Sequence, residues 1–401
     1  MNVDIAIVGA GPAGLCLARS LAHSGLDILL IEQQAMEALR EPAFDGREIA
    51  LTMHSVRLLR ELGIWSPLEP ADISPLRSAR VLNGMSPHGL HVTPSAAADG
   101  GLGLLVPNHC IRRAAFASIE HEANIKLACG VAVEGMTCND EVACLRLSDG
   151  SDVTARLVIA ADSRYSRIRR DAGIPADMHD FGKTMLVCRM ALEKTHHDEA
   201  LEWFGHAQTL AALPLNGREA SVVLTLPPLQ MQRVMAMDKA DFESEMRHRF
   251  DHRFGDMRLT STRHSYPLVG VYARRFVAQR LALIGDAAVG MHPVTAHGFN
   301  LGLRGVESLG ALIEQAAAHG QDIASPSLLR RYQRVHRRAT WPLYAATMAV
   351  VGIYTDDRPV ARLARSALLR ASQALPPVRL GIAHLLSARR GETSVLRRHR
   401  S

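Results

Sequence analysis

The segment from Asp4 to Glu32 constrains the fold more than any other part of the chain. Asp4 to Val8 (DIAIV) is a short β-branched run of the kind buried on both faces of a parallel sheet. Gly9-Ala10-Gly11-Pro12-Ala13-Gly14 follows at once, then a helical stretch, Leu15 to Ser24, and a second apolar strand, Asp27 to Ile31. Glu32 closes that strand eighteen residues after Gly14. This is the βαβ context that a dinucleotide-binding fingerprint requires. Gly9 permits the tight turn, Gly11 lets the backbone approach a pyrophosphate, and Gly14 lets the helix pack on the strand. The helix N-terminus then faces the phosphate charge, and Glu32 is placed to accept hydrogen bonds from ribose hydroxyls.

A second cradle, far along the chain, separates FAD from NAD. Arg280 to Ile284 (RLALI) reads as another buried strand and runs into Gly285-Asp286-Ala287-Ala288, then His292-Pro293, then Gly298-Phe299-Asn300-Leu301-Gly302 at the head of a helix. Asp286 at a strand end suits a ribityl hydroxyl. Helix N-terminal amides after the Gly298-Phe299-Asn300 turn suit the electron-rich edge of an isoalloxazine, which becomes anionic on reduction. A simple NAD dehydrogenase has no use for this cradle. An ordinary strand–turn–helix of a doubly wound sheet explains the order of elements but not why both turns are so rich in small residues.

With these motifs in place, the chain resembles the class A flavoprotein aromatic hydroxylases over nearly its whole length, and among them the ubiquinone-biosynthesis ring hydroxylases. The resemblance rests on GAGPAG at 9 to 14, Ala161-Asp162-Ser163-Arg164, and the run from Gly285 to Gly302. Asp45-Gly46-Arg47-Glu48-Ile49-Ala50-Leu51 matches the family segment whose arginine contacts FAD, which points to Arg47, and Val106-Pro107-Asn108 points to Asn108. These two segments and Asp177-Met178-His179-Asp180-Phe181-Gly182 look most like the UbiM-type demethoxyubiquinol 5-hydroxylase branch. The sequence departs from the family pattern at Ser163, Val289, Ala296-His297 and Gly305.

The resemblance implies an α/β fold: a Rossmann-like, glutathione-reductase-like FAD-binding domain with an interleaved mixed β-sheet substrate domain and a helical C-terminal tail. It implies FAD held by Gly9, Gly11, Gly14 and Glu32 at one end, and by Arg47, Asn108, Asp162, Asp286, Gly298 and Asn300 along its length. His292, Pro293 and His297 are the catalytic candidates, and no metal is expected. The implied reaction is hydroxylation of a prenylated quinol or phenol with O2, by way of a flavin C4a-hydroperoxide, with 5-demethoxyubiquinol as the substrate. No second GxGxxG is visible, so the reductant is NAD(P)H acting transiently or another electron donor. The rival readings are a flavoenzyme acting on another aromatic or isoprenoid compound, a non-catalytic flavin-binding assembly protein, and a nucleic-acid-binding protein with a Rossmann-like body.

The expected FAD-binding domain takes residues 1–72, 101–180 and 268–345, the substrate domain 73–100 and 181–267, and a basic helical region 346–401. Charge is what sets the last region apart. Arg358 to Ser401 holds ten arginines and one acid, Glu392, for a charge of +9, while the whole chain carries +6. A near-neutral body with a basic tail suits an anionic membrane surface or a ubiquinone-biosynthesis complex as partner better than nucleic acid. The longest apolar stretch, Trp341 to Tyr354, is fourteen residues, short of the roughly 20 needed to span a bilayer. Six cysteines at 16, 110, 129, 138, 144 and 188 form neither a CxxC nor a Cys/His cluster, and the N-terminus runs straight into a strand. A cytoplasmic protein, peripheral on the inner face of the membrane, is expected. Oligomeric state is not written in the pattern.

Overall fold

The computed structural model describes residues 1–84, 89–93, 101–205, 208–292 and 298–355. Two large sheets meet across a small one. In the first, the parallel strands Leu281–Leu283, Asp152–Ala160, Asn2–Val8, Ile28–Glu32 and Ile125–Cys129 lie side by side in that order. Val8 stands opposite both Ala160 and Ile31, so the strands end level. Their carboxyl edge gathers Gly9, Glu32, Asp162 and the Gly285–Ala287 turn, the edge at which open α/β sheets bind ligands. Ile5, Ala6, Ile7, Leu157, Val158 and Ile159 are fully buried, because helices cover the sheet; this is why these strands read as unbroken apolar runs.

The helix of the fingerprint spans Pro12–Ser20, shorter than the expected run to Ser24. The Ser20 and Ser24 hydroxyls turn back to the Leu17 and Leu21 carbonyls, and Gly25 takes a φ of +73°; these serve a turn better than another helical turn. The Gly298–Ala318 helix packs on Pro12–Ser20, and Pro326–Thr355 packs on Gly298–Ala318. Of the expected region 346–401, residues 346–355 continue that last helix, and 356–401 lie outside the described residues.

The second sheet runs Val289–Gly290, His264–Ala273, Ala176–Leu192, Glu219–Leu226, Thr209–Pro214, Glu199–Phe204, Ser78–Asn83 and Leu90–Val92. The Glu199–Phe204 strand pairs parallel with Ser78–Asn83 while the other pairs in this order are antiparallel, so the sheet is mixed. The expected boundaries at 180–181 and 267–268 fall inside Ala176–Leu192 and His264–Ala273. One face buries Leu186, Cys188, Met190, Leu201, Trp203 and Leu224 against Phe242, Met246 and Phe250 of the adjoining helical layer. The other turns toward the first sheet. Between the two lies an antiparallel trio, Glu48–Leu51, Gly103–Pro107 and Ser74–Leu76, which carries the Arg47 and Asn108 segments. Among the described residues no helix is long and apolar enough to cross a membrane.

Candidate active site

The fingerprint loop is built by close approach. Gly9 has a φ of +107°, and a Cβ there would lie 2.6 Å from the Ala161 carbonyl oxygen. A Cβ on Gly14 would lie 2.0 Å from the Gly9 carbonyl oxygen, so the helix can rest on the loop only if residue 14 is glycine. Gly11 differs: a Cβ there would meet only the Ala161 oxygen, at 4.0 Å. The space before it is open, and Gly11 is the N-cap with no side-chain cap, leaving helix amides free for an anion. Glu32 is fixed beside the loop, its two carboxylate oxygens accepting from Ala10 N (2.8 Å) and Gln34 N (3.0 Å).

Asp162 lies against Gly9, with Oδ2 accepting from Arg167 N at 3.1 Å and Oδ1 buried without a partner among the described residues. Burial pushes its carboxyl above the usual range against the pull of Ser166 and backbone hydrogen bonds. Ser163, where the family carries glycine, is tolerated because it lies outside the residues with positive φ. Asp286 accepts from Arg164 Nη2 at 2.8 Å, and Arg164 Nη1 donates to the Val269 carbonyl at 2.9 Å. Arg164 therefore straps the second cradle to the second sheet, a role sequence reasoning did not assign although its motif was noticed.

The two cradles touch. A Cβ on Gly285 would meet Ala13 Cβ at 3.1 Å, and one on Gly302 would meet Gly285 Cα at 3.6 Å and Ala13 Cβ at 3.7 Å. This contact is a packing reason for the small residues in both turns, in addition to any ligand. Gly298 is open. Asn300 spends its side chain within the protein: Oδ1 accepts from Thr52 N (3.0 Å) and Ser55 Oγ (2.6 Å), and Nδ2 donates to the Ala50 carbonyl (2.8 Å). That leaves the backbone of the helix start, rather than the amide side chain, to face a ligand. Gly305, where an acid is usual in the family, makes room for His336: a Cβ there would lie 3.2 Å from the ring. Burial holds that imidazole down near pH 4.

Arg47 and Asn108 meet on Asp45, which sequence reasoning quoted within the motif but did not single out. Arg47 Nη2 and Asn108 Nδ2 reach Asp45 Oδ2 at 2.6 and 2.7 Å, and Asn108 N donates to the Arg47 carbonyl at 2.9 Å. Burial raises the Asp45 carboxyl, but the Arg47 charge and these hydrogen bonds outweigh it and hold it below the usual range. Tyr266 of the second sheet donates to the Asp45 carbonyl at 2.7 Å, and a Cβ on Gly46 would strike Val187 Cγ2 at 2.7 Å. The Arg47 segment is thus pressed against the sheet above it. Glu48, with its side chain fully buried, accepts from Arg189 Nη2 and Nε of that sheet at 2.7 and 2.8 Å.

His292 is buried with its ring edge-on to Phe181 at 4.7 Å. Burial and then Lys183 push its pKa down to about 4, so it is a neutral imidazole at neutral pH. Pro293 and His297 lie outside the described residues. His54, which follows the Arg47 segment, ties its helix to Glu307 at 2.9 Å, and Met53 is exposed.

The profile of the FAD binding domain family matches residues 2–347. The ubiquinone hydroxylase UbiM of Neisseria meningitidis is 42% identical over 383 residues, which cover 94% of this chain and 83% of that protein. The chain belongs to the class A flavin hydroxylase family. The ubiquinone hydroxylase UbiL of Rhodospirillum rubrum is 34% identical over 376 residues, covering 94% and 87%. In fold this hydroxylase is similar to the PqsL structure from P. aeruginosa in complex with 2-aminobenzoylacetate, with a TM-score of 0.77, 20% identity, and coverage of 89% and 97%.

The hydroxylase is an FAD-dependent monooxygenase, and the residues present fit that cofactor. The open face of Gly11, the uncapped helix start and the unpartnered Asp162 Oδ1 all lie on the carboxyl edge of the first sheet. Gly9, Gly11, Gly14 and Glu32 would hold the adenosine and pyrophosphate half. Bound FAD supplies the reduction of O2 and the delivery of one oxygen atom to an aromatic ring.

Proposed function

We propose that this hydroxylase adds one oxygen atom to the aromatic ring of a polyprenylated ubiquinone precursor, at position 5 of a 5-demethoxyubiquinol. The observation that carries the reading is the 42% identity to UbiM, spread over 94% of the chain, so that it spans both the cofactor cradles and the sheet above them. The division of labour follows from the geometry. Asp286, Asp162, Gly298 and the Asn300 backbone would hold the flavin half of the cofactor, with Arg47 and Asn108, braced on Asp45, beside it. The neutral, buried His292 and the Phe181 ring packed edge-on against it would help keep water from the ring. Pro293 and His297 are proposed at the flavin edge on motif position alone. NAD(P)H or another donor supplies electrons. Loss of the protein tests this reading through the mass of the ubiquinone intermediate that accumulates.

The greasy substrate suggests where the protein works: in the cytoplasm, peripheral on the inner face of the membrane. Pro326–Thr355 contains no acid, and it exposes Arg330, Arg331, Arg334 and Arg338 on one stripe with Val335 and Trp341. The stripe passes from basic to apolar with tryptophan near the change, a pattern that suits an anionic interface. Cosedimentation with phosphatidylglycerol vesicles is expected, weakening with salt and on changing the four arginines to glutamine. Equal partition to phosphatidylcholine vesicles, or none to either, would favour a ubiquinone-biosynthesis complex as the partner.

A further inference from the structure

The face of the second sheet that turns toward the flavin segments carries a carboxyl with no stated use. Glu202 stands in the Glu199–Phe204 strand, whose Leu201 and Trp203 enter the core on the other face. The two-residue alternation of a strand therefore puts Ala200, Glu202 and Phe204 on the opposite side. Register sets Glu202 between Ala211 and Val81, and the same row runs on through Val223, Val187 and His264. Val187 and His264 are the residues a Cβ on Gly46 would strike, so this is the face applied to the Arg47 segment.

Among the described residues the immediate neighbours of Glu202 are apolar: Ala200 and Phe204 along its strand, Ala211 and Val81 across it, Val223 one strand further; Asn83 and Thr209 flank Phe204 on the next rung of the same face. Among the described residues no hydrogen bond or ion pair reaches its carboxyl. Charged groups elsewhere on the face are engaged, Arg189 with Glu48 and Glu219 with Thr260. Arg80 and His91 both pair with Glu199 on the other face. A half-buried carboxyl without a protein partner is a cost to folding, which a ligand group bonded to it would offset.

We propose that Glu202 hydrogen-bonds a ring hydroxyl of the phenolic substrate and so fixes which edge of the ring is presented beneath the sheet. This rests on the phenol or quinol substrate class proposed above. The apolar neighbours suit the ring carbons and a prenyl chain, and Glu202 supplies one polar anchor among them. Burial raises its pKa to about 8, so at neutral pH the group is mostly a neutral carboxyl, which can both donate to and accept from a hydroxyl.

The test uses the FAD-loaded protein and a short-chain prenylated hydroquinone, with Kd read from the flavin absorbance change and KM from turnover. Glu202→Leu is expected to raise Kd and KM about tenfold, while raising the thermal midpoint of the apoprotein because an unpaired carboxyl is gone. Glu202→Gln, which keeps a donor and an acceptor, is expected to retain most of the affinity. E202L that keeps FAD and binds the probe as tightly as wild type overturns the proposal. If E202L does not fold, a folded E202A protein that keeps FAD and binds the probe as tightly as wild type overturns it instead. A wild-type protein that neither binds nor hydroxylates the probe refutes the substrate class, which is a separate failure.

Discussion

Gly14→Ala protein is expected to carry no FAD. The new Cβ would sit 2.0 Å from the Gly9 carbonyl oxygen and 3.2 Å from its carbon, and backbone cannot swing aside as a side chain can. Gly9 has no freedom to yield, because its own face lies against Ala161 and Asp162. The Pro12–Ser20 helix must therefore lift from the loop, taking its N-terminal amides away from the phosphates they would bind. Overpacking of this kind costs about 1–3 kcal/mol or more, so the apoprotein should also melt earlier. Gly11→Ala is the informative contrast. Its Cβ would meet only the Ala161 oxygen, at 4.0 Å, so the apoprotein should melt as wild type does while FAD affinity falls. Bound flavin per chain and apoprotein melting, measured together, separate the two; a Gly14→Ala protein with a full complement of flavin would refute the close-approach account.

The second large effect is expected at Arg189. Glu48 is sealed between the Arg47 segment and the second sheet, and Arg189 is its ion-pair partner, with one carboxylate oxygen left unpartnered among the described residues. Arg189→Leu would strand a buried carboxylate, which typically costs about 3–5 kcal/mol. Burial already raises the Glu48 pKa, with Arg189 pulling it back; without Arg189 it rises further. A carboxyl raised in the folded state binds a proton on folding, so the deficit is greatest above the folded pKa. It shrinks as pH falls toward the unfolded value of about 4.3. Glu48→Leu combined with Arg189→Leu should recover most of the loss, because an apolar pair replaces an ionic one. Urea unfolding of the single and double variants at neutral and acid pH checks this. A single variant as stable as wild type would mean that the pair does not join the segment to the sheet.

What the sequence made legible follows the logic of local signals. The strand–glycine loop–helix–strand of 4–32 is legible because turn chemistry and apolar runs agree there. The Lys239–Arg249 helix is legible from its start, where Asp238 caps Asp241 N. The His264–Ala273 strand was missed because Pro267 sits within it. The sheet admits that proline because Pro267 pairs with Thr184 beside a register shift between Asp180 and Thr184, the irregular position where a missing donor is tolerated. The Glu199–Phe204 strand, EALEWF, was missed because Glu, Ala and Leu carry no local strand preference; its neighbours on both sides decide it.

The site divides in the same way. Glycines and strand-end acids announce themselves because their need is local. Asp45, Arg164 and Arg189 act through partners 63, 122 and 141 residues away, and no spacing rule finds such pairs. Asn300 lay in a quoted motif, yet only coordinates reveal that its side chain joins two segments rather than facing a ligand.

The central claim is that this FAD-dependent monooxygenase hydroxylates a ubiquinone precursor ring. It is met most directly by mass spectrometry of the prenylated quinones in cells lacking the protein. The expected result is accumulation of a species one hydroxylation behind the pathway, a 5-demethoxy compound, with ubiquinone restored by the wild-type chain and not by Gly14→Ala. Unchanged ubiquinone and no under-hydroxylated intermediate, in cells without another enzyme for that ring position, would contradict it.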